Sequence, residues 1–217
     1  MEYYPNTMNS DYFNNWYVQM NLICWARGTV MIGLLFTVER ISEGVVGLMC
    51  MGITDRLGRR KSALIFIAIA LLSQTIIIFC PWYWARMFGF ILFAIGNMKN
   101  SVCYVWIFEM METKHKSSAC TLINALDSST MIFFGLYVLF ISTNWKWIEI
   151  FMYCVGWLSF FSILINLPES PKWFLINGRN AEAHENFEYI AKVNGLPCTI
   201  PTDAQFIESA LAGHITP

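Results

Sequence analysis

Residues 62–80 read SALIFIAIALLSQTIIIFC, a run without one charged side chain. A helix needs about 20 predominantly apolar residues to cross the hydrocarbon of a bilayer, and this run has that length. Four more stretches qualify around it: 29–53 before it, and 84–108, 118–142 and 147–167 after it. The first is the weakest, because Glu39, Arg40 and Glu43 interrupt it. Composition agrees with the pattern. Charged residues make up 13% of the chain and apolar residues 56%, with a mean hydropathy of +0.48, whereas a soluble domain carries about 25% charged residues. Aromatics at 16% fit a protein whose membrane interfaces collect Trp and Tyr. The expected fold is an all-α polytopic membrane bundle of about five helices.

Basic residues orient the spans, because Lys and Arg are retained on the inner side of a membrane. Arg56, Arg59, Arg60 and Lys61 follow the first span, Lys114 and Lys116 follow the third, and Lys172, Arg179 and Lys192 follow the fifth. The opposite side carries only Arg27 and Lys146. The N-terminus is therefore expected outside and the C-terminus inside. The outer links, 81–83 and 143–146, are short, so spans two and three, and spans four and five, should be antiparallel neighbours. Trp82, Trp84, Trp145 and Trp147 stand at those links, where indoles prefer to lie.

Three regions follow. Residues 1–28 form an aromatic-rich outer segment, 29–167 the membrane bundle, and 168–217 an inner, water-facing helical tail. Residues 1–25 lack the apolar core of a secretory signal peptide and are poor in Arg. In the tail, Asn180 is expected to cap a helix that Gly195 stops. Thr202 with Gln205 predicts a capping box for a second helix.

Other chemistries find little support. The net charge is −1, so no global field points to nucleic acid. The seven cysteines include no CxxC pair, and most read as small apolar filler. His115, His184 and His214 lie apart and outside the apolar runs, so no metal site and no cofactor is expected. GxSxG, P-loop, HExxH and GxGxxG patterns are absent from the sequence, and no enzyme activity is expected.

Three segments carry a resemblance. Residues 55–61, DRLGRRK, lie between two apolar helices and combine a tight turn at Gly58 with fixed positive charge. Residues 109–116 read EMMETKHK, and residues 168–183 read PESPKWFLINGRNAEA. Together these resemble the loop signatures of the major facilitator superfamily. NLIC at 21–24 and IAKVNG at 190–195 make the organic cation and carnitine transporters the more similar group over residues 16–196, although sugar porters share the long third segment. The resemblance implies that the five spans match helices two to six of a twelve-helix transporter. It also implies an inner loop motif of Asp55, Arg56, Gly58, Arg59 and Arg60, and an inner charge network involving Glu109, Lys116, Glu169 and Arg179. Two positions depart from the pattern. Met51 stands where the family's loop motif begins with Gly, and Arg86 is followed by Gly89 and Phe90 rather than by Gly after four residues. A Met at the first position is expected to obstruct docking of a second half.

Transport in this superfamily is rocking of two halves about a midplane site, so these spans alone are not expected to alternate access. Two readings stay open. The chain is a structural or accessory subunit of a larger membrane complex, the reading put first, with hetero-oligomeric partners beside the lipid bilayer. Alternatively it transports small organic ions as part of a longer or paired transporter. The plasma membrane follows from the resemblance, and the mitochondrial inner membrane from a respiratory-type complex. The charges inside the spans, Glu39, Arg40, Glu43, Lys99 and Asp127, are the candidate polar site, since such residues are rare and face protein or water. Internal neutralisation is the preferred reading for them. Lys99 and Asp127 each lie nine residues from the inner end of adjacent spans, and equal depth predicts an ion pair.

Overall fold

The computed structural model describes residues 19–20, 22, 26–111 and 113–195, apart from the side chains of Met51 and Thr113. The uncharged run becomes helix α2, Arg59–Phe79, and everything else is arranged around it. Before it stands α1, Gly28–Leu57. After it come α3, Tyr83–Gly96; α4, Met98–Met110; α5, Thr113–Phe140; α6, Trp145–Asn166; and two short helices, α7, Pro171–Ile176, and α8, Asn180–Val193. The described residues contain no strand.

Four segments are long and apolar enough to cross a membrane: Arg59–Phe79, Tyr83–Met110, Lys114–Phe140 and Trp145–Asn166. The fifth expected span, α1, has the length, with 30 residues or about 45 Å at 1.5 Å per residue. It falls short in apolarity because Glu39, Arg40 and Glu43 sit in its middle. The span expected over 84–108 is a broken helix. Its hydrogen-bond ladder switches at Asn97, whose N–H donates to the Phe93 carbonyl at 2.8 Å, while its own carbonyl accepts from Asn100 N–H, three residues on, at 3.0 Å.

The break lies beside the closest helix crossing. At Gly96 an added Cβ would stand 2.6 Å from the Ala70 Cα and 2.7 Å from the Ala70 nitrogen. One turn pair earlier, a Cβ at Gly89 would meet Ile77 at 3.0 Å. Lipid tails are as apolar as Leu, so membrane helices associate through close packing rather than through water exclusion. Small residues on α2 and α3 make that approach possible. Two apolar clusters flank the crossing. Ala63, Phe66, Val102 and Trp106 fill the end expected inside, called inner below, and Leu35, Ile77 and Phe90 the opposite, outer end. The glycine displaced from the family's expected spacing is thus used in the packing.

The helices alternate in direction. The α1–α2 turn, the end of α4 and the end of α6 meet at one end of the bundle. The beginnings of α1 and α3 meet at the other, where Tyr83 Oη donates to the Met31 carbonyl at 2.9 Å. The start of α1 and the end of α6 therefore lie at opposite ends. Helices α2 and α3 are close neighbours, as the short link predicts. Helices α5 and α6 are not: they touch only sparsely, and α6 instead packs on α2, where a Cβ at Gly156 would come within 2.9 Å of Leu71.

In the tail, α7 begins with Ser170 as cap, accepting from Trp173 N–H at 3.3 Å, with Pro171 in the first turn, both favoured there. Asn180 is the first residue of α8 rather than its cap; Arg179 holds the cap position without a side-chain cap bond. Gly195 ends the segment with φ +66°. The capping box at Thr202 and Gln205, like the outer segment 1–18, lies outside the described residues.

Candidate functional site

The inner corner is built on Gly58. It joins α1 to α2 with φ +99°, a backbone region that L side chains disfavour. Having no side chain, Gly58 cannot cap α2, and α2 has no cap of its own. The carboxylate of Glu169 supplies one from far along the chain. Its Oε1 accepts from Arg60 N–H at 2.8 Å and from Ser170 N–H at 3.1 Å. An anion at a helix N-terminus meets both free N–H groups and the positive end of the dipole. A Cβ on Gly58 would stand 2.6 Å from Glu169 Oε2, so the carboxylate occupies the space that glycine leaves.

Arg59 makes a two-point contact with Glu109 on α4, Nε to Oε2 at 3.4 Å and Nη2 to Oε1 at 3.2 Å. Their side chains are only 12% and 11% exposed. Arg59 also pairs with Asp55 one turn back. Arg60 Nη2 donates to the Leu164 carbonyl at 2.7 Å, near the end of α6, where helix carbonyls lack partners. The Trp173 indole N–H donates to the Asp55 carbonyl at 2.7 Å. Residues 55–60, 109 and 164–173 are thus one bonded assembly.

Two residues expected in that assembly are not part of it. Lys116 makes no hydrogen bond or ion pair among the described residues, because α5 leaves the bundle there. Arg179 pairs with Glu182 within α8 and lies 4.9 Å from the Phe174 ring centre and 5.8 Å from that of Trp173. Its hydrogen bond to Glu182 pushes the guanidinium pKa up, so it stays cationic. Arg56 is exposed. Met51, expected to obstruct docking, has a side chain outside the described part.

The intramembrane charges divide. Glu39 is buried, and Arg40 bridges it at 3.5 Å and Glu43 at 2.7 Å. One guanidinium thus serves two carboxylates on α1, which leaves the group one negative charge in excess. The expected pair of Lys99 with Asp127 does not form. Lys99 Nζ donates to Asn97 Oδ1 at 3.3 Å, lies 5.7 Å from the Phe93 ring centre and is within electrostatic reach of Glu43. Asp127 sits in a cleft of about 400 Å³ between α4 and α5, lined from α4 by Asn100, Cys103, Tyr104 and Ile107. At 100° per residue Lys99 is about a quarter turn away from that face. Equal depth brought the two charges level, and helix phase turned them apart.

Sequence reasoning passed over Arg86, although it was visible as a charge inside a span. It is 2% exposed. Its Nε donates to the Cys80 carbonyl at the end of α2 at 2.7 Å, and Nη2 to Gln19 Oε1 at 3.1 Å. Its guanidinium lies 5.9 Å from the ring centre of Trp145, the first residue of α6. Arg86 thus closes the outer corner, as Arg59 and Glu169 close the inner one.

With this geometry the chain can be set against known proteins. The family model described as sugar (and other) transporter matches residues 4–209. This chain belongs to that family. Among these transporters, human solute carrier family 22 member 2 is 26% identical over 162 residues, covering 71% of this chain and 28% of the relative. Organic cation transporter 1 of Caenorhabditis elegans is 24% identical over 194 residues, covering 86% of this chain and 32% of the relative. The probable inositol transporter 3 of Arabidopsis thaliana is 25% identical over 140 residues, covering 63% and 24%. The chain spans about a third or less of the length of these relatives. Within the major facilitator superfamily it is organic-cation-transporter-like, an integral membrane protein built as part of the superfamily's helix bundle. Its relatives are transporters, in keeping with a protein that is not an enzyme.

Proposed function

We propose that this chain is part of a facilitator for small organic ions and works only when a second helical body completes it. One observation carries the reading. The inner corner is fully assembled, yet none of the apolar window of α5 or α6 is buried within the chain. A transporter of this superfamily moves its cargo between two bodies that rock about a shared site, and a bundle whose last two spans leave their apolar windows unburied offers one side of such a site. Whether the same polypeptide or another supplies the second body is open to experiment. The names of the relatives, organic cation transporter among them, support an organic ion as cargo; the plasma membrane is the location that goes with this reading.

A second reading, a structural subunit of a larger membrane complex, has its own observation. Arg40 is committed to Glu39 and Glu43 on one helix, which ties these charges to one another. A mitochondrial inner membrane would suit that reading. Native mass and reconstitution separate the two. The purified 217-residue chain in proteoliposomes should give no saturable uptake of a quaternary ammonium ion or of carnitine. The native particle containing it should give such uptake on the transport reading and none on the structural one. Saturable uptake by the chain alone would overturn the requirement for a second body.

A further inference from the structure

We infer that the outer corner is a docking site for the chain's own outer segment, residues 1–18, and that Asp11 brings the carboxylate that Arg86 lacks. The inference holds under either functional reading, since it concerns how the bundle is closed and not what passes it. A guanidinium stays charged inside a protein. Arg86 is 2% exposed. Its Nε donates to the Cys80 carbonyl at 2.7 Å and its Nη2 to Gln19 Oε1 at 3.1 Å. Its Nη1 is buried without an acceptor. Both acceptors are neutral, and so is the Trp145 ring beside the guanidinium. Among the described residues no carboxylate pairs with Arg86. A buried charge is costly unless it is both paired and hydrogen-bonded, so this corner is short of one negative charge. The inner corner shows the contrast, for there Arg59 has both Asp55 and Glu109.

Two observations name the segment that supplies the charge. The first is its point of departure. Gln19 bonds Arg86 directly, so the residues before it leave the bundle at the unpaired guanidinium. The second is its charge. Residues 1–18 carry Glu2 and Asp11 and no Lys, Arg or His. Asp11 stands eight residues before Gln19, a tether of at most about 28 Å at roughly 3.5 Å per residue. Glu2 has the longer tether, and effective concentration falls as a tether lengthens, which favours Asp11. The remaining acid near this corner, Glu149, is one turn along α6 from Trp145 but forms no ion pair with Arg86. Docked in this way, the outer segment would tie the beginnings of α3 and α6 together, as Glu169 ties the α1–α2 turn to the end of α6 at the inner corner.

The test uses the full chain in lipid nanodiscs, with amide hydrogen exchange and the thermal midpoint as readouts. Backbone amides over residues 8–18 are expected to be protected. Asp11→Asn should speed their exchange at least about tenfold and leave that of α2 unaltered. It should also lower the midpoint by about 2–4 °C. Arg86→Gln should lower the midpoint at least as much. The double variant should fall no further than Arg86→Gln alone, because the two substitutions remove one pair. Glu2→Gln should change neither readout. Amides over 8–18 that exchange without protection, or that Asp11→Asn leaves as they were, would overturn the docking, and this arm stands even if Arg86→Gln fails to fold. Additive midpoint losses would overturn it too, since Arg86 would then be met by a lipid phosphate or a second body. So would coupling of Arg86→Gln to Glu149→Gln or Glu2→Gln in place of Asp11→Asn.

Discussion

Helices α2 and α5 are both long and apolar enough to cross a membrane, and they sit in opposite surroundings. Half of the apolar window of α2 is buried within the chain, and none of that of α5. Helix α2 touches α1, α3, α4 and α6, whereas among the described residues α5 makes a sparse contact with α6 and accepts one hydrogen bond from α4, at Asn124 from the Tyr104 hydroxyl. Their residues explain the difference. Helix α2 presents Ala63, Ala70 and Ser73, all buried, small enough for neighbouring backbones to close in. Helix α5 presents Leu126, Met131, Phe133 and Leu139, all exposed, beside a polar edge of Asn124, Asp127 and Thr130. One helix is built to hold this chain together, the other to meet something beyond it.

The sharpest way to break that comparison is to fill a glycine on each side of it. Gly96→Leu drives a side chain into the Ala70 backbone, where no rotamer change can make room. Overpacking costs about 1–3 kcal/mol and more when backbone must move, so a loss of at least about 3 kcal/mol is expected, seen as a large fall in the thermal midpoint of the detergent-solubilised chain. Gly135→Leu on α5 meets nothing within 4 Å and should shift stability by no more than about 0.5 kcal/mol. Equal destabilisation by both variants would mean that α5 is packed within the chain after all.

Gly58→Ala tests the inner corner at a smaller scale. The added methyl must displace the Glu169 carboxylate, and the backbone sits at φ +99°. A sparsely populated backbone region costs about 1–3 kcal/mol, and about 2 kcal/mol is expected here. Glu109→Gln should cost somewhat less, about 1–2 kcal/mol, between the values for exposed and fully buried pairs, because Arg59 keeps Asp55 as a partner. Arg59→Lys should resemble Glu109→Gln, since a lysine cannot reproduce the two-point contact. If both variants match the wild-type melting curve, the pair does not hold α2 to α4.

The same contrast marks what the sequence made legible. The uncharged run of α2 predicts a span, and the basic loop beside it predicts the inner corner, because both are local patterns of residue type. The break at Asn97 has no such pattern. It accompanies the Gly96–Ala70 crossing, a contact between residues of different helices. Likewise, counting residues put Lys99 and Asp127 at one depth, but depth fixes only one coordinate of a side chain. Its direction around the helix depends on packing, and there the pair failed. Glu169 as the cap of α2 was also out of reach. The motif placed it at an inner helix end, whereas its hydrogen bond to Arg60 N–H depends on how the end of α6 folds back.

The smallest expected effect concerns α6, which stands between the two extremes. Its apolar window is unburied like that of α5, yet it is tied to α2. Tyr153 Oη and Thr75 Oγ1 share a hydrogen bond of 2.8 Å, and Thr75 also donates to the Leu71 carbonyl at 2.8 Å. Because the threonine hydroxyl has only one hydrogen, its bond to Leu71 makes the tyrosine the donor to Thr75. Tyr153→Phe removes that donor, keeps the ring beside Trp157 and leaves Thr75 with its backbone partner, so no polar group is stranded. Hydrogen bonds between membrane helices average about 0.6 kcal/mol by double-mutant cycles, and a loss of that size is expected. Thr75→Val should cost about the same, and the double variant little more than either alone, since both remove one bond. An additive double variant would show that the two residues stabilise the chain separately. The attachment of α6 to α2 would then rest on packing at Gly156 rather than on this bond.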